Sequence, residues 1–239
     1  MLAEELYLID PYSRKCEACI IDIERVKGKR AYITLDRTIF HPLSGGQPSD
    51  EGVISNNSGV FEVKKVIRSG STIRHWGSLT SGALSVGDKV ICEINWEKRY
   101  KVMRLHTAGH ILDYAMLQLY GELVETLNAY HGPPESYLEY NVEVEPNTRE
   151  LERLANEIVS RALYVVVHII PAEELDKHVY NAPNLLRLPE ASKYRIVEIP
   201  GVNAMPCTGT HVLNTKEVGK VHILRVEKSK GYMVFYDVE

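Results

Sequence analysis

Over the first 95 residues or so, apolar and polar side chains alternate in short runs separated by turn residues. Residues 19–26 (CIIDIERV) and 30–40 (RAYITLDRTIF) flank Lys27-Gly28-Lys29, a spacing that predicts a hairpin. Asn56-Asn57-Ser58-Gly59 predicts a second turn leading into VFEVKKVI, and STIRHWG and DKVICEINW follow as further strands. Many short strands joined by Gly and Asn turns predict a small barrel or sandwich.

The pattern then changes period. Leu105, Leu112, Met116 and Leu119 recur at helical spacing and predict a helix over 97–120, closed by Gly121 at the position after its last turn. Residues 136–144 alternate like a strand. Asn147 to Glu150 resembles a capping box opening a helix over 148–163. Residues 165–170 read as a buried strand with His168 packed inside it, 172–180 as a short helix and 194–199 as a strand. Residues 218–228 and 231–238 read as a closing hairpin around Ser229-Lys230-Gly231. The fold class expected is α+β. A β-barrel domain (1–95) precedes a two-layer α+β domain (96–239) with an antiparallel sheet and helices on one face.

Two short motifs carry the chemistry. His106-Thr107-Ala108-Gly109-His110 lies on the predicted helix, and Cys207-Thr208-Gly209-Thr210-His211 on the turn after the 194–199 strand. Each places two metal-ligand side chains four positions apart, which on a helix is one face and about one turn. Nine His and four Cys make either spacing unremarkable alone, but both together arise by chance at only ~0.05. Imidazole with thiolate suits zinc better than magnesium or calcium. Thr107 stands where the zinc proteases of the HExxH type carry a glutamate base, which disfavours a peptidase. A zinc ion there lowers the pKa of a bound water toward ~7, suited to a reactive bond such as an aminoacyl ester. Asp113, about one turn beyond His110, is placed to hydrogen-bond a ligand histidine or simply to face solvent.

Composition narrows the class. At 239 residues, 44% hydrophobic and 25% charged, the chain has an ordinary globular composition with room for two modest domains. No apolar stretch approaches the ~18 residues of a membrane span, and MLAEELYLIDPYSRK lacks a signal peptide's pattern, so a cytoplasmic location is expected. Cys16 and Cys19 form a lone CxxC whose side chains would leave a strand on opposite faces, as reduced structural residues. The net charge of −4 argues against indiscriminate nucleic-acid binding. Local basic clusters remain: Lys98, Arg99, Lys101 and Arg104 before the first motif, and Lys216, Lys220, Arg225, Lys228 and Lys230 after the second.

HTAGH (106–110), CTGTHVLNTKEVG (207–219) and HPLSGGQPSDEG (41–52), in that arrangement, resemble the AlaX family. These are freestanding alanyl-tRNA editing proteins, related to the editing domain of alanyl-tRNA synthetase. The resemblance covers nearly the whole chain and fits the medium form. It implies a zinc-dependent hydrolase that deacylates mischarged tRNA(Ala), chiefly Ser-tRNA(Ala) and in some members Gly-tRNA(Ala). It further implies one zinc per chain held by His106, His110, Cys207 and His211, and an N-terminal barrel whose loop, with Gly45, Gly46 and Gln47, handles substrate. The family often has CGGTH where this chain has Thr208, a side chain that would narrow the pocket or restrict the loop.

Alanine is smaller than serine, so a site that admits serine admits alanine. Discrimination must rest on a polar group that pairs with the serine hydroxyl. Thr126 is the expected specificity residue, since the family places a polar residue near there. Backbone N–H groups of the later motif are expected to stabilise the oxyanion, and the basic clusters to hold phosphates of the acceptor stem. Two alternatives stand beside this reading: an editing hydrolase for another mischarged tRNA such as Ser-tRNA(Thr), and a non-catalytic tRNA-binding module with structural zinc.

Overall fold

The structure is a computed structural model that describes residues 3–183, 185 and 188–239. It has the α+β class expected, with a closed barrel and separate antiparallel sheets. The chain forms two compact units, Met1–Lys101 and Val102–Glu239.

The first unit runs through β1 (Glu4–Glu5), α1 (Leu6–Ile9), β2 (Lys15–Lys27), β3 (Arg30–Leu35), β4 (Arg37–Thr38), β5 (Gly52–Asn56), β6 (Gly59–Ser69), β7 (Thr72–Gly82) and β8 (Lys89–Ile94). β1 and β4 pair parallel. The other six strands close a barrel in the order β2-β3-β7-β6-β5-β8, which removes the exposed edges an open sheet would carry. β8 returns onto β2 with Cys16 opposite Cys92. Ile20, Ile33, Leu35, Ile54, Phe61 and Ile73 fill the interior. The predicted hairpins form as read: Gly28 takes the left-handed conformation between β2 and β3, and the Asn56 carboxamide accepts from the N–H groups of Ser58 and Gly59 in the next turn.

Arg99 departs from its reading as part of a solvated basic cluster. It is fully buried and ion-paired with Asp50. Its Nε donates to both Asp50 oxygens at 3.0 and 3.1 Å, Nη1 to the Pro11 carbonyl at 2.9 Å and Nη2 to the Ile39 carbonyl at 2.6 Å. A guanidinium survives out of water because each nitrogen has an acceptor. Lys98 likewise pairs with Glu51.

α2 (Trp96–Tyr120) starts at the end of the first unit and continues into the second. Asn95 caps it, its side chain accepting from the Lys98 N–H. Gly121, with φ +76°, ends it. Its middle is buried well beyond the apolar stripe, with His106, Thr107, His110 and Asp113 as inaccessible as Leu105 and Leu112. A helix buried on several sides sits inside a core rather than on a surface.

The second unit continues with β9 (Thr126–Tyr130), β10 (Ser136–Tyr140), α3 (Thr148–Ser160), β11 (Val166–Pro171), a 3₁₀ turn (Ala172–Glu174) into α4 (Leu175–His178), β12 (Lys193–Ile199), β13 (Asn203–Pro206), a 3₁₀ turn (Thr215–Val218), β14 (Val221–Lys228) and β15 (Tyr232–Val238). Instead of one antiparallel sheet there are two, ordered β14-β15-β10-β9 and β11-β12-β13. Across the first, Arg225, Phe235, Tyr137 and Tyr130 lie in one register row. The Arg225 guanidinium sits 3.6 Å from the Phe235 ring centre, and Phe235–Tyr137 and Tyr137–Tyr130 follow at 5.9 and 6.3 Å. Such cross-strand pairs fix register.

Three local readings change. Residues 165–170 were expected as a buried strand, but β11 is an edge strand with Val167 and Ile169 exposed. His168 is accordingly not a packed core residue; it bonds Glu198 at 2.9 Å on the partly exposed surface. The helix expected over 148–163 stops at Ser160, where Ala162 turns to positive φ.

Candidate metal centre

α2 presents His106 and His110 from successive turns, and the side chains of Asn203, Thr107 and Arg104 tie the later segment to that helix. The Asn203 side chain on β13 donates to the His110 carbonyl at 2.7 Å. The Thr107 hydroxyl meets His211 Nδ1 at 3.1 Å and accepts from the Val212 N–H. The Arg104 guanidinium donates to the carbonyls of Glu217 and Val218 that end the 3₁₀ turn. That turn carries a complete capping box from Asn214 and Glu217. Gly219 is needed after it, because a Cβ there would lie 2.3 Å from the Glu239 carbonyl oxygen and φ is +74°.

The result joins the two halves of the motif. One ligand atom from each of His106, His110, Cys207 and His211 lies within 4.8 Å of the others. Cys207 Sγ is 3.5 Å from His106 Nε2 and 3.3 Å from His211 Nε2. Three of the four residues are buried, and Cys207 is half-buried.

The protonation states suit cation binding. The Thr107 hydroxyl donates to the Met103 carbonyl, so toward His211 Nδ1 it can only accept. His211 therefore carries its proton on Nδ1 and turns the Nε2 lone pair to the cluster. Burial, with the Arg195 charge adding to it, pushes the His110 pKa down to about 3, so its ring is neutral at physiological pH. The His110 Nδ1 is buried with no hydrogen-bond partner among the described residues, a deficit that a polar site keeps only for a reason. Burial pushes the Cys207 thiol up, while Arg195 and the Gly209 N–H act to lower it. Three imidazoles and one sulfur around a small volume are the donor types that suit zinc.

The loop that carries Cys207 is held from within. Arg195 Nη1 donates to the carbonyls of Cys207 and Gly209 at 2.7 and 3.1 Å. The Gly209 N–H, one of the donors expected to stabilise an oxyanion, points to Cys207 Sγ instead at 3.4 Å. Thr208 is exposed, so the departure from glycine places its side chain on the loop's solvent side.

Thr126 opens β9, is buried, and its hydroxyl donates to Asp113 Oδ1 at 2.8 Å. Asp113 therefore pairs with the candidate specificity residue and not with solvent. Burial pushes its carboxyl up to about 7, against the Thr126 and Tyr140 hydroxyls.

Gly45, Gly46 and Gln47 belong to the first unit. Ser44 and Gln47 exchange backbone hydrogen bonds at 3.2 and 2.9 Å, and both glycines have positive φ, +57° and +73°. This is a type I′ turn, which strongly favours Gly, Asn or Asp at its centre. The loop's base is closed by His41 and Asp50, whose carboxylate accepts the His41 N–H at 2.5 Å. Gln47 is fully buried.

Of the basic clusters, Arg99 and Arg104 are consumed by internal bonds, and Arg225 is paired with Glu135 and Glu227. His131 also belongs to this centre, and no motif in the sequence marks it. His131 stacks on His106 with ring centres 4.4 Å apart and planes 14° from parallel. It has no spacing partner, and only the structure reveals it.

No helix among the described residues is long and apolar enough to cross a membrane. Residues 17–98 match the family model described as tRNA synthetases class II (A), and residues 194–234 the model described as the threonyl and alanyl tRNA synthetase second additional domain. The chain is 35% identical to the alanyl-tRNA editing protein AlaX-M of Saccharolobus solfataricus across the whole of both chains. It is 36% identical to the AlaX-L protein of Pyrococcus horikoshii, over 96% of this chain and 56% of that one. It is also 31% identical to the alanine–tRNA ligase of Ignicoccus hospitalis, over 96% of this chain and 25% of the ligase. A relative matched end to end, together with both family models in order, shows that this chain belongs to the AlaX family of alanyl-tRNA editing proteins.

Proposed function

We propose that this protein hydrolyses the aminoacyl ester of mischarged tRNA(Ala), chiefly Ser-tRNA(Ala), at a single zinc held by His106, His110, Cys207 and His211. The observation that carries the reading is the meeting of the two motifs, four donor atoms within 4.8 Å of one another. When bound, zinc supplies Lewis acidity beside the scissile ester.

The chain's own residues do the rest. Thr107 and Asn203 hold the donor residues in place before substrate arrives. While Asp113 is ionised, the Thr126 hydrogen goes to it and Thr126 Oγ1 meets a serine hydroxyl as an acceptor, a bond alanine cannot make. Buried polar groups left unpaired by the smaller substrate are what discriminates. The Gly45-Gly46 turn serves substrate handling from the barrel unit, with buried Gln47 closing the turn beneath it.

The test is deacylation of Ser-tRNA(Ala) and Ala-tRNA(Ala) by protein with zinc and by protein stripped with a chelator. The reading requires turnover of the first, sparing of the second, and loss of activity on stripping. A second reading is favoured by the match of residues 194–234 to a domain shared with threonyl enzymes. Ser-tRNA(Thr) in the same assay separates the two.

A further inference from the structure

We infer that His131 is a positioning residue of the donor cluster: its stacked face sets the plane of the His106 ring, and Tyr236 sets His131. This rests on the metal reading above and extends it to two residues outside the donor set.

The four-residue spacing on α2 decides where the His106 ring is, but not how it is turned, since rotation about the last torsion of a histidine has broad wells. A second imidazole lying 4.4 Å away and within 14° of parallel removes that freedom, because turning either ring drives its edge into the other. His131 is itself fixed. Its Nδ1 is 2.6 Å from the Tyr236 hydroxyl, and that hydroxyl donates to the Leu105 carbonyl at 3.1 Å. A carbonyl only accepts, so the Tyr236 hydrogen is spent there and His131 must donate from Nδ1. The contacts form a closed circuit from Leu105 through Tyr236 and His131 back to His106, the next residue on the helix.

Gly109 makes the space. A Cβ at that position would lie 2.4 Å from His131 Cε1, 2.8 Å from its Nδ1 and 3.3 Å from the Tyr236 oxygen. The glycine inside HTAGH, costly in a helix interior, is there to let the His131 ring lie against the helix. His131 and Tyr236 are both buried, so the clamp works without contact from solvent.

The experiment measures metal binding rather than turnover. Wild type, Tyr236→Phe, His131→Phe and His131→Ala are stripped of metal and checked for folding by circular dichroism and melting. They are then titrated with zinc against a chromophoric chelator and with cobalt for its visible spectrum. Tyr236→Phe and His131→Ala should weaken zinc by ~10-fold or more and shift the cobalt bands. His131→Phe, which keeps the flat face, should recover part of the loss. Zinc affinity within twofold of wild type and an unchanged cobalt spectrum in Tyr236→Phe and His131→Ala, whatever the melting temperatures, would overturn the proposal and leave His131 a packing residue. Should His131→Ala not fold, Tyr236→Phe, which removes one oxygen, decides alone. Wild-type protein that takes up neither metal overturns the metal reading itself, a different result from variants that load as wild type does.

Discussion

His75 in the barrel and His110 on α2 are equally hidden and differently accompanied. Burial pushes both below the ordinary imidazole range, His75 to about 4 and His110 to about 3. His75 has both nitrogens engaged: Nδ1 with the Ile33 carbonyl and Nε2 with the Thr38 hydroxyl, each at 2.9 Å. His110 keeps a buried Nδ1 without a hydrogen-bond partner among the described residues, and three further donor residues surround it. A ring with both bonds closed is building material. A ring left short of a bond, at a cost of ~1–3 kcal/mol, and placed among other lone pairs is arranged for something the polypeptide does not itself provide.

The largest effect should come from breaking the open set. His106→Ala or Cys207→Ala should abolish zinc retention by metal analysis. Either should also lower Ser-tRNA(Ala) deacylation by more than the ~100-fold that loss of an outer partner costs. Retained activity in metal-free variants would dissolve the contrast with His75. Next comes the other buried charge site of the barrel. Arg99→Met strands the Asp50 carboxylate and should cost about 3–5 kcal/mol in denaturant unfolding, with zinc per folded chain unchanged.

His75→Phe tests the closed ring directly and should cost about 1–3 kcal/mol for the partners it leaves behind. Its pH signature has a definite sign. The folded ring takes a proton only below about pH 4, whereas an unfolded one does so near 6.5. The unfolded chain therefore binds more protons across that window, and stability falls as pH is lowered through it. The variant should show a shallower loss between those limits. The last effect is one of selectivity: Thr126→Val should shift the ratio of Ser-tRNA(Ala) to Ala-tRNA(Ala) hydrolysis by ~10-fold, with a fall in melting from the Asp113 carboxyl it leaves unpaired.

Much of this was written in local pattern. The hairpin at Gly28, the turn at Asn56 and the span of α2 follow from turn residues and period, because those signals act over a few neighbouring residues. Ligand chemistry was equally legible, since His and Cys at four-residue spacing advertise it. Long-range bonds leave no such mark. Nothing adjacent to Arg99 says that its charge is spent on Asp50 and two carbonyls, so it reads as one more surface cation. Val167 and Ile169 read as buried because a run of branched apolar residues looks the same at the centre of a sheet and at its edge. Asn203 and Arg195, which hold the Cys207 segment in place, lie in stretches with no motif. The short strand β13 between Gly201 and Pro206 was missed for want of length.

Thr107 has a consequence for kinetics. Its hydroxyl, caught between Met103 and the His211 ring, ties the two motifs to each other by bonds within the polypeptide. Bonds of this kind spend ordering entropy of assembling the donors as the chain folds. Loading should then proceed as a simple second-order encounter, first order in zinc, with no slow unimolecular phase from loop rearrangement. Thr107→Val should reintroduce one.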